Sequence, residues 1–221
     1  QSITFTVDSS SPTVTITTSD SDNVVNVSQV VTITAGFSEA MSATPTISIT
    51  GIVTNVIMTP VSGTNSYTFR WDTSSGTLSD GTYYATVSGT DSNGNAYSAG
   101  TQSITFKLDA SAPTVTLTDT DSDNLVSTSE VVTITAVFSE VMTTTPTISI
   151  TGIVTNVFMT QTSGTTSYTY AWDTSSGTLS AGAYSAVVSG TDLIGNAYVA
   201  GTQSITFTVD SSTPTVTITT D

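Results

Sequence analysis

The chain has neither cysteine nor histidine among its 221 residues, and Lys107 and Arg70 are its only basic side chains. Each shortage closes a class of function. Without cysteine no disulfide braces the fold and no thiol chemistry is available. Without histidine, Ser–His–Asp and Cys–His catalytic arrangements cannot be built, and typical zinc sites lose their commonest ligands. Against the two cations stand 17 acids, for a formal net charge of −15. That excludes a nucleic-acid surface, which needs clustered basic residues facing phosphate, and argues against docking on anionic lipid. It favours a cation as partner. There is no signal peptide, no transmembrane run, no membrane insertion to expect and no segment of helical period.

What the chain has in abundance is itself. Gln1-Ser2-Ile3-Thr4-Phe5 returns as Gln102 to Phe106 and again as Gln203 to Phe207. Residues 1–101 align with 102–202 without a gap, and 73 of the 101 pairs are identical. A step of this size is too long for a solenoid turn and suits a whole small domain. Tandem copying of this kind lengthens an object without a new fold. The opening and closing segments belong to repeats incomplete here, so the chain reads as a window from a longer array, or as a frame deliberately chosen to look like one. Lys107 faces Thr6 in the other repeat, so a Lys–Asn isopeptide brace is not a shared feature.

Strict alternation, the period of half-buried strands, dominates each repeat. Val14 and Ile16 share a face; so do Val31, Ile33, Ala35 and Phe37. Ile47 and Ile49 follow Pro45, which sits at a strand start where a missing donor is tolerated. Val53 to Thr59 is less regular and reads as one or two short strands. Tyr67, Phe69 and Trp71 form an inward row, then Tyr83, Ala85 and Val87, then Ile104, Phe106 and Leu108. Turn chemistry punctuates them: Asp20-Ser21-Asp22-Asn23, Ser62-Gly63, Ser75-Gly76, Asp80-Gly81 and Asn93-Gly94-Asn95. About seven strands per 101-residue repeat with an inward Trp predicts an all-β chain of two tandem immunoglobulin-like β-sandwich domains. The expected division is 1–11, a last strand of a preceding repeat plus linker; 12–112 and 113–213, a domain plus linker each; and 214–221, a first strand of a following repeat. The linker Asp109-Ala110-Ser111-Ala112-Pro113 is short and Pro-containing, which restricts swivel.

Phe37-Ser38-Glu39-Ala40-Met41 and Phe138-Ser139-Glu140-Val141-Met142 resemble the "FSE" segment of bacterial Ig-like domains. Gly89-Thr90-Asp91 through Gly94-Asn95-Ala96, and its copy Gly190 through Ala197, are similar to their "D-x-x-GN" segment. The runs ending in Pro12, Pro113 and Pro214 resemble their interdomain link. Such modules are strung in long arrays in giant bacterial surface adhesins. The resemblance therefore implies an extracellular extender at a cell surface, stiffened by Ca2+, with neighbouring repeats of the same chain as partners.

The acids sit in turns and at strand ends. In an immunoglobulin topology, Asp8, Glu39, Asp91 and Asn95 fall at the top of domain 1. Asp109, Glu140, Asp192 and Asn196 occupy the same places in domain 2. Three carboxylates and an amide are hard oxygen donors of the kind calcium prefers, and without a cation they would raise one another's pKa. Solvated turn acids are the plain alternative. At the bottom, Asp119, Asp121, Asp123 and Glu130 take positions 1, 3, 5 and 12 of an EF-hand-like loop. Asn124 stands where such a loop wants Gly, and Asn tolerates the left-handed conformation. Repeat 1 keeps Asp20 and Asp22, with Thr18 and Gln29 at the other two positions; an Asx-rich turn explains the same residues.

Other readings carry less. Asp72 and Asp173 recur in near-identical copies with no sign of a cleft, so a glycosidase pair, and catalysis generally, is not expected. Trp71 alternates inward, as core rather than as a sugar platform. Outward Thr rows resemble ice-binding arrays, but Thr also suits any uncharged strand face. The Asn26-Val27-Ser28 sequon has no copy in repeat 2. Substitutions between repeats fall outward or in loops (Arg70/Ala171, Tyr84/Ser185), while core rows keep their type (Ile16/Leu117, Phe69/Tyr170). The expected function is a stalk segment stiffened by calcium at domain junctions. The alternative is a filament of identical chains, joined by strand complementation through Ser2–Val7 and Thr215–Thr219.

Overall fold

The computed structural model describes residues 1–97, 102–162, 164, 166–177, 179–199, 201, 203–212 and 214–219. The chain divides into two compact units, Gln1–Ala110 and Ser111–Asp221. Among the described residues the only regular elements are strands, nine in each unit.

In the first unit the strands are β1 (Val14–Thr18), β2 (Val24–Val25), β3 (Val30–Phe37), β4 (Thr46–Ile49), β5 (Val53–Ile57), β6 (Thr59–Pro60), β7 (Ser66–Asp72), β8 (Gly81–Ser88) and β9 (Ser103–Leu108). One sheet has the order β1-β3-β7-β6 and the other β2-β9-β8-β4-β5. All pairings are antiparallel except β2 with β9, which is parallel. The second unit repeats this with β10 (Val115–Asp119), β11 (Leu125–Val126), β12 (Val131–Phe138), β13 (Thr147–Ile150), β14 (Val154–Phe158), β15 (Thr160–Gln161), β16 (Ser167–Asp173), β17 (Gly182–Ser189) and β18 (Ile205–Val209). Its sheets run β10-β12-β16-β15 and β11-β18-β17-β13-β14. Each unit is thus an immunoglobulin-like sandwich.

Alternation decides what is inside. Val31, Ile33 and Ala35 are fully buried while Thr32 and Thr34 between them are not. Ile47, Ile49, Ala85, Val87 and Phe106 supply the facing layer. Trp71 joins the sheets, its ring 5.3 Å from that of Phe106 in a T-shaped contact, and Trp172 meets Phe207 the same way at 5.5 Å. With no disulfide, this packing is the brace.

The strand count exceeds the expected seven for two reasons. Val53–Thr59 is two strands, because buried Met58 carries the chain from the edge of one sheet to the edge of the other. A bulge in the β4–β5 pairing, with Asn55 at φ 51°, makes its alternation irregular. The two-residue β2 is too short to show a period. Residues 1–13 carry no strand, and Ile3, Phe5 and Val7 there are 79%, 84% and 86% exposed.

Candidate metal centre

Packing at the end of β3 builds the site in the first unit. Phe37 is buried, its ring edge-on to Tyr67 and Tyr97 at 5.9 Å each. The next residue, Ser38, accepts from the Thr13 N–H at 2.9 Å through Oγ and donates its own N–H to the Thr13 carbonyl at 3.0 Å. This double clasp holds the chain entering β1 against the end of β3, with Glu39 one residue on. Asp91 lies after β8 and bridges to Met41 in antiparallel fashion. As a result, carboxylate oxygens of Asp8, Glu39 and Asp91 lie within 4.8 Å of one another.

The three acids differ in setting. Asp91 has no exposed surface. Its Oδ1 accepts from the N–H of Asn93 at 2.9 Å and of Asn95 at 2.7 Å, and its Oδ2 from Asn95 Nδ2 at 2.9 Å. Burial pushes its pKa up, but the Asn95 side chain and the N–H groups of Asn95, Asn93 and Gly94 outweigh it and hold Asp91 below the usual carboxylate range. Glu39 goes the other way. Desolvation raises its pKa, and repulsion from Asp91 and then Asp8 raises it further. Asp8 accepts from Asn93 Nδ2 at 2.8 Å, and Asn95 Nδ2 reaches the Asp8 carbonyl at 3.3 Å. Asn95 therefore turns its amide nitrogen toward the acids. Asn93, absent from the sequence-based site, supplies the second amide donor.

In the second unit, oxygens of Glu140 and Asp192 also lie within 4.8 Å. Asp192 and Asn196 are 1% and 8% exposed. Asp192 Oδ1 accepts from the N–H groups of Ile194, Gly195 and Asn196 at 2.8, 2.7 and 2.8 Å, and Oδ2 from Asn196 Nδ2 at 3.0 Å. Ile194 takes the place of Asn93. Asp109, the copy of Asp8, directly follows β9 in the first unit and donates its N–H to the Val25 carbonyl at 2.9 Å. The donor set fits a hard cation: carboxylate oxygens with neither thiolate nor imidazole, gathered closely enough that one is held above its ordinary pKa.

The bottom loops are organised differently. Asp119, Asp121 and Asp123 each accept from the N–H two residues on, at 2.9, 3.2 and 3.0 Å, and Glu130 accepts from the Ser127 N–H at 3.2 Å. Among the described residues, these acids form no group of three within 4.8 Å. Asn124 and Asn23 both adopt φ 59°. Burial pushes the Asp121 carboxyl up, with Asp123 and Glu130 adding to it, and its Oδ2 is buried without a hydrogen-bond partner. In the first unit Gln29 Nε2 donates to Asp20 Oδ2 at 2.8 Å, a bond Glu130 cannot make. Asp22 is held low by the Val24 N–H and then by Asp20, while Asp20 Oδ1 and Asn23 Oδ1 are buried without partners. The loops are anchored by Thr73 and Thr174, missed in the sequence because they sit in a turn-like Asp-Thr-Ser-Ser-Gly run. Thr174 is 1% exposed; its Oγ1 accepts from the Glu130 N–H and donates toward the Ser127 and Glu130 carbonyls.

Asp72 and Asp173 cap their own turns. Asp72 Oδ1 accepts from the Ser74 hydroxyl at 2.6 Å and its N–H at 3.1 Å, and these bonds hold its pKa down. A general acid needs the opposite shift.

Two sandwiches with acids gathered at strand ends define a class of structural Ig-like modules. The sequence profile of the bacterial Ig-like domain (group 3) matches residues 65–157 and 166–221, more than half of the chain, and the chain belongs to that family. Among solved structures, one from a 1.5-MDa bacterial ice-binding adhesin is 21% identical with a TM-score of 0.54, over 91% of this chain and 63% of that one. The chain thus spans less than two thirds of that structure. The fibronectin(III)-like modules of Clostridium thermocellum CbhA are 16% identical, with a TM-score of 0.41 over 89% of this chain and 94% of theirs. The D00-D0 domain of intimin is 11% identical, with a TM-score of 0.34 over 90% and 97%. No curated protein matches the chain by sequence.

Proposed function

We propose that this chain is an extender segment of a long extracellular stalk at a bacterial cell surface, stiffened by calcium at its domain junctions. One observation carries the reading: Asp8, Glu39 and Asp91 gather within 4.8 Å, and the same residue types recur 101 positions on as Asp109, Glu140 and Asp192. Asp109 directly follows the last strand of its unit, so Asp8 stands in an array where a preceding repeat ends. By repeat equivalence, an ion held by such a triad ties the exit of one domain to two loops of the next. It cancels the repulsion that raises Glu39 and removes swivel at the short linker. Asn95 and Asn196 hold the buried aspartates in place through their amide nitrogens, and would join the shell as ligands only with their amides turned over. The bottom-loop acids (Asp20 and Asp22; Asp119, Asp121, Asp123 and Glu130) are secondary candidates, supported by the buried unpartnered oxygens of Asp20 and Asp121.

Small-angle scattering in millimolar calcium and again in chelator tests this. A fixed extended profile that becomes shorter and more variable without calcium is expected. Identical profiles would mean that calcium does not stiffen the junction. Glu39→Ala lowers calcium affinity in a calorimetric titration if the triad is the site.

A further inference from the structure

Acids are absent from one long stretch of each repeat. Between Glu39 and Asp72 the only charged residue is Arg70, and between Glu140 and Asp173 there is none. Those stretches contain β4, β5 and β6 and their copies, and β5 and β6 are edge strands of the two sheets. No lysine or acid stands on the β5 edge; its protection is limited to the bulge at Asn55 and the brevity of β6, which ends in Pro60. Beside exposed Thr54 and Asn55, the edge shows apolar side chains to solvent: Val56 37%, Ile57 69% and nearby Val61 38% in the first unit, Val157 38% and Phe158 70% in the second. Ile57 and Phe158 differ between the repeats, yet both are large, apolar and more than two-thirds exposed.

We infer that the β5–β6 edge of each unit is a lateral docking surface for a second copy of this chain. Three observations favour that occupant. A strand edge is complementary to itself, so like can meet like across a two-fold axis. The net charge of −15 opposes approach everywhere that the acids lie, and the β5 and β6 strands and their copies contain none of them. The surface recurs in both repeats, so every chain offers two such edges to the edges of a second copy. This inference does not depend on calcium.

Sedimentation of the 221-residue chain over a concentration series up to millimolar, in calcium and in chelator, provides the test. The wild type is expected to rise from one chain mass toward two. The double variant Ile57→Glu with Phe158→Glu, changed only at exposed positions, is expected to stay at one chain mass. Thr15→Glu with Thr116→Glu places the same charge on the exposed face of β1 and β10, at the opposite sheet edge, and is expected to associate like the wild type. A wild type that stays monomeric overturns the inference. So does a β5–β14 variant that still associates, which would point to the exposed terminal segments, or a β1–β10 variant that loses association, which would reduce the effect to general charge.

Discussion

Replacing Asp192 with alanine tests how far one enclosed carboxylate organises the loop that carries it. The side chain is 1% exposed and accepts four hydrogen bonds. When it is removed, the N–H groups of exposed Gly195 and half-buried Ile194 recover water. The N–H and side-chain amide of Asn196, which is 8% exposed, do not recover it as readily. Two bonds to an ionised acceptor are then lost, at about 1.5–3 kcal/mol each. Relief of repulsion with Glu140 offsets a fraction, leaving a loss of about 3 kcal/mol or more. Set against the roughly 5–15 kcal/mol that stabilises a domain, this is large, and it corresponds to a fall of about 12–24 °C for a unit of this size. Calorimetry in chelator keeps ions out of the measurement. The expected trace splits, with the second unit melting early and the first unchanged. A shift below about 4 °C, or an equal fall of both transitions, would refute the assignment of Asp192 as the nucleus of its loop.

Three further outcomes are expected. Because Glu39 is raised by burial and by Asp91 and Asp8, the ion-free protein carries a penalty at neutral pH that disappears as pH falls through that raised pKa; in chelator Glu39→Gln should exceed the wild type in denaturant resistance at neutral pH and match it once pH drops to the ordinary carboxylate range. Asp91, held low, contributes in the other direction, and its share is lost only as pH falls below the ordinary range toward its lowered value. Thr174→Val leaves the Glu130 N–H and a loop carbonyl without their partner and should cost about 2–3 kcal/mol in urea unfolding. Gly190→Ala brings a Cβ to 2.6 Å from Met142 Cε, the flexible end of that side chain, and should cost about 1–2 kcal/mol in the same assay.

Where a strand is long enough to alternate, sequence and structure agree. The row Val31, Ile33, Ala35, Phe37 is 1%, 0%, 0% and 6% exposed, because only one side of a sandwich strand meets the other sheet. The reading fails where the period is too short or interrupted. Two residues at β2 cannot show a period, and the left-handed Asn55 breaks the phase of β5. The positions of Asp8, Glu39 and Asp91 were legible because acids shun strand interiors and the topology brings strand ends together. The direction of the amides was not, since Asn93 and Asn95 read equally well as turn residues or oxygen ligands. Nor was the burial of Thr73 and Thr174, because a hydroxyl in a turn-like run gives no sign that loop carbonyls will enclose it.

The parallel pairing of β2 with β9 governs how a unit resists being pulled. The chain enters each unit through its first strands and leaves by the last, so tension along the chain slides β2 lengthwise against β9. The bonds that flank the pair are Lys107 N–H to Asn23 O at 2.9 Å and Asp109 N–H to Val25 O at 2.9 Å, with Thr208 to Asn124 and Asp210 to Val126 repeating them at 2.8 and 3.3 Å. Loaded in shear, the bonds of a pair must break together rather than unzip in turn. A two-residue strand too small to announce itself in the sequence therefore ties the start of each unit to its last strand.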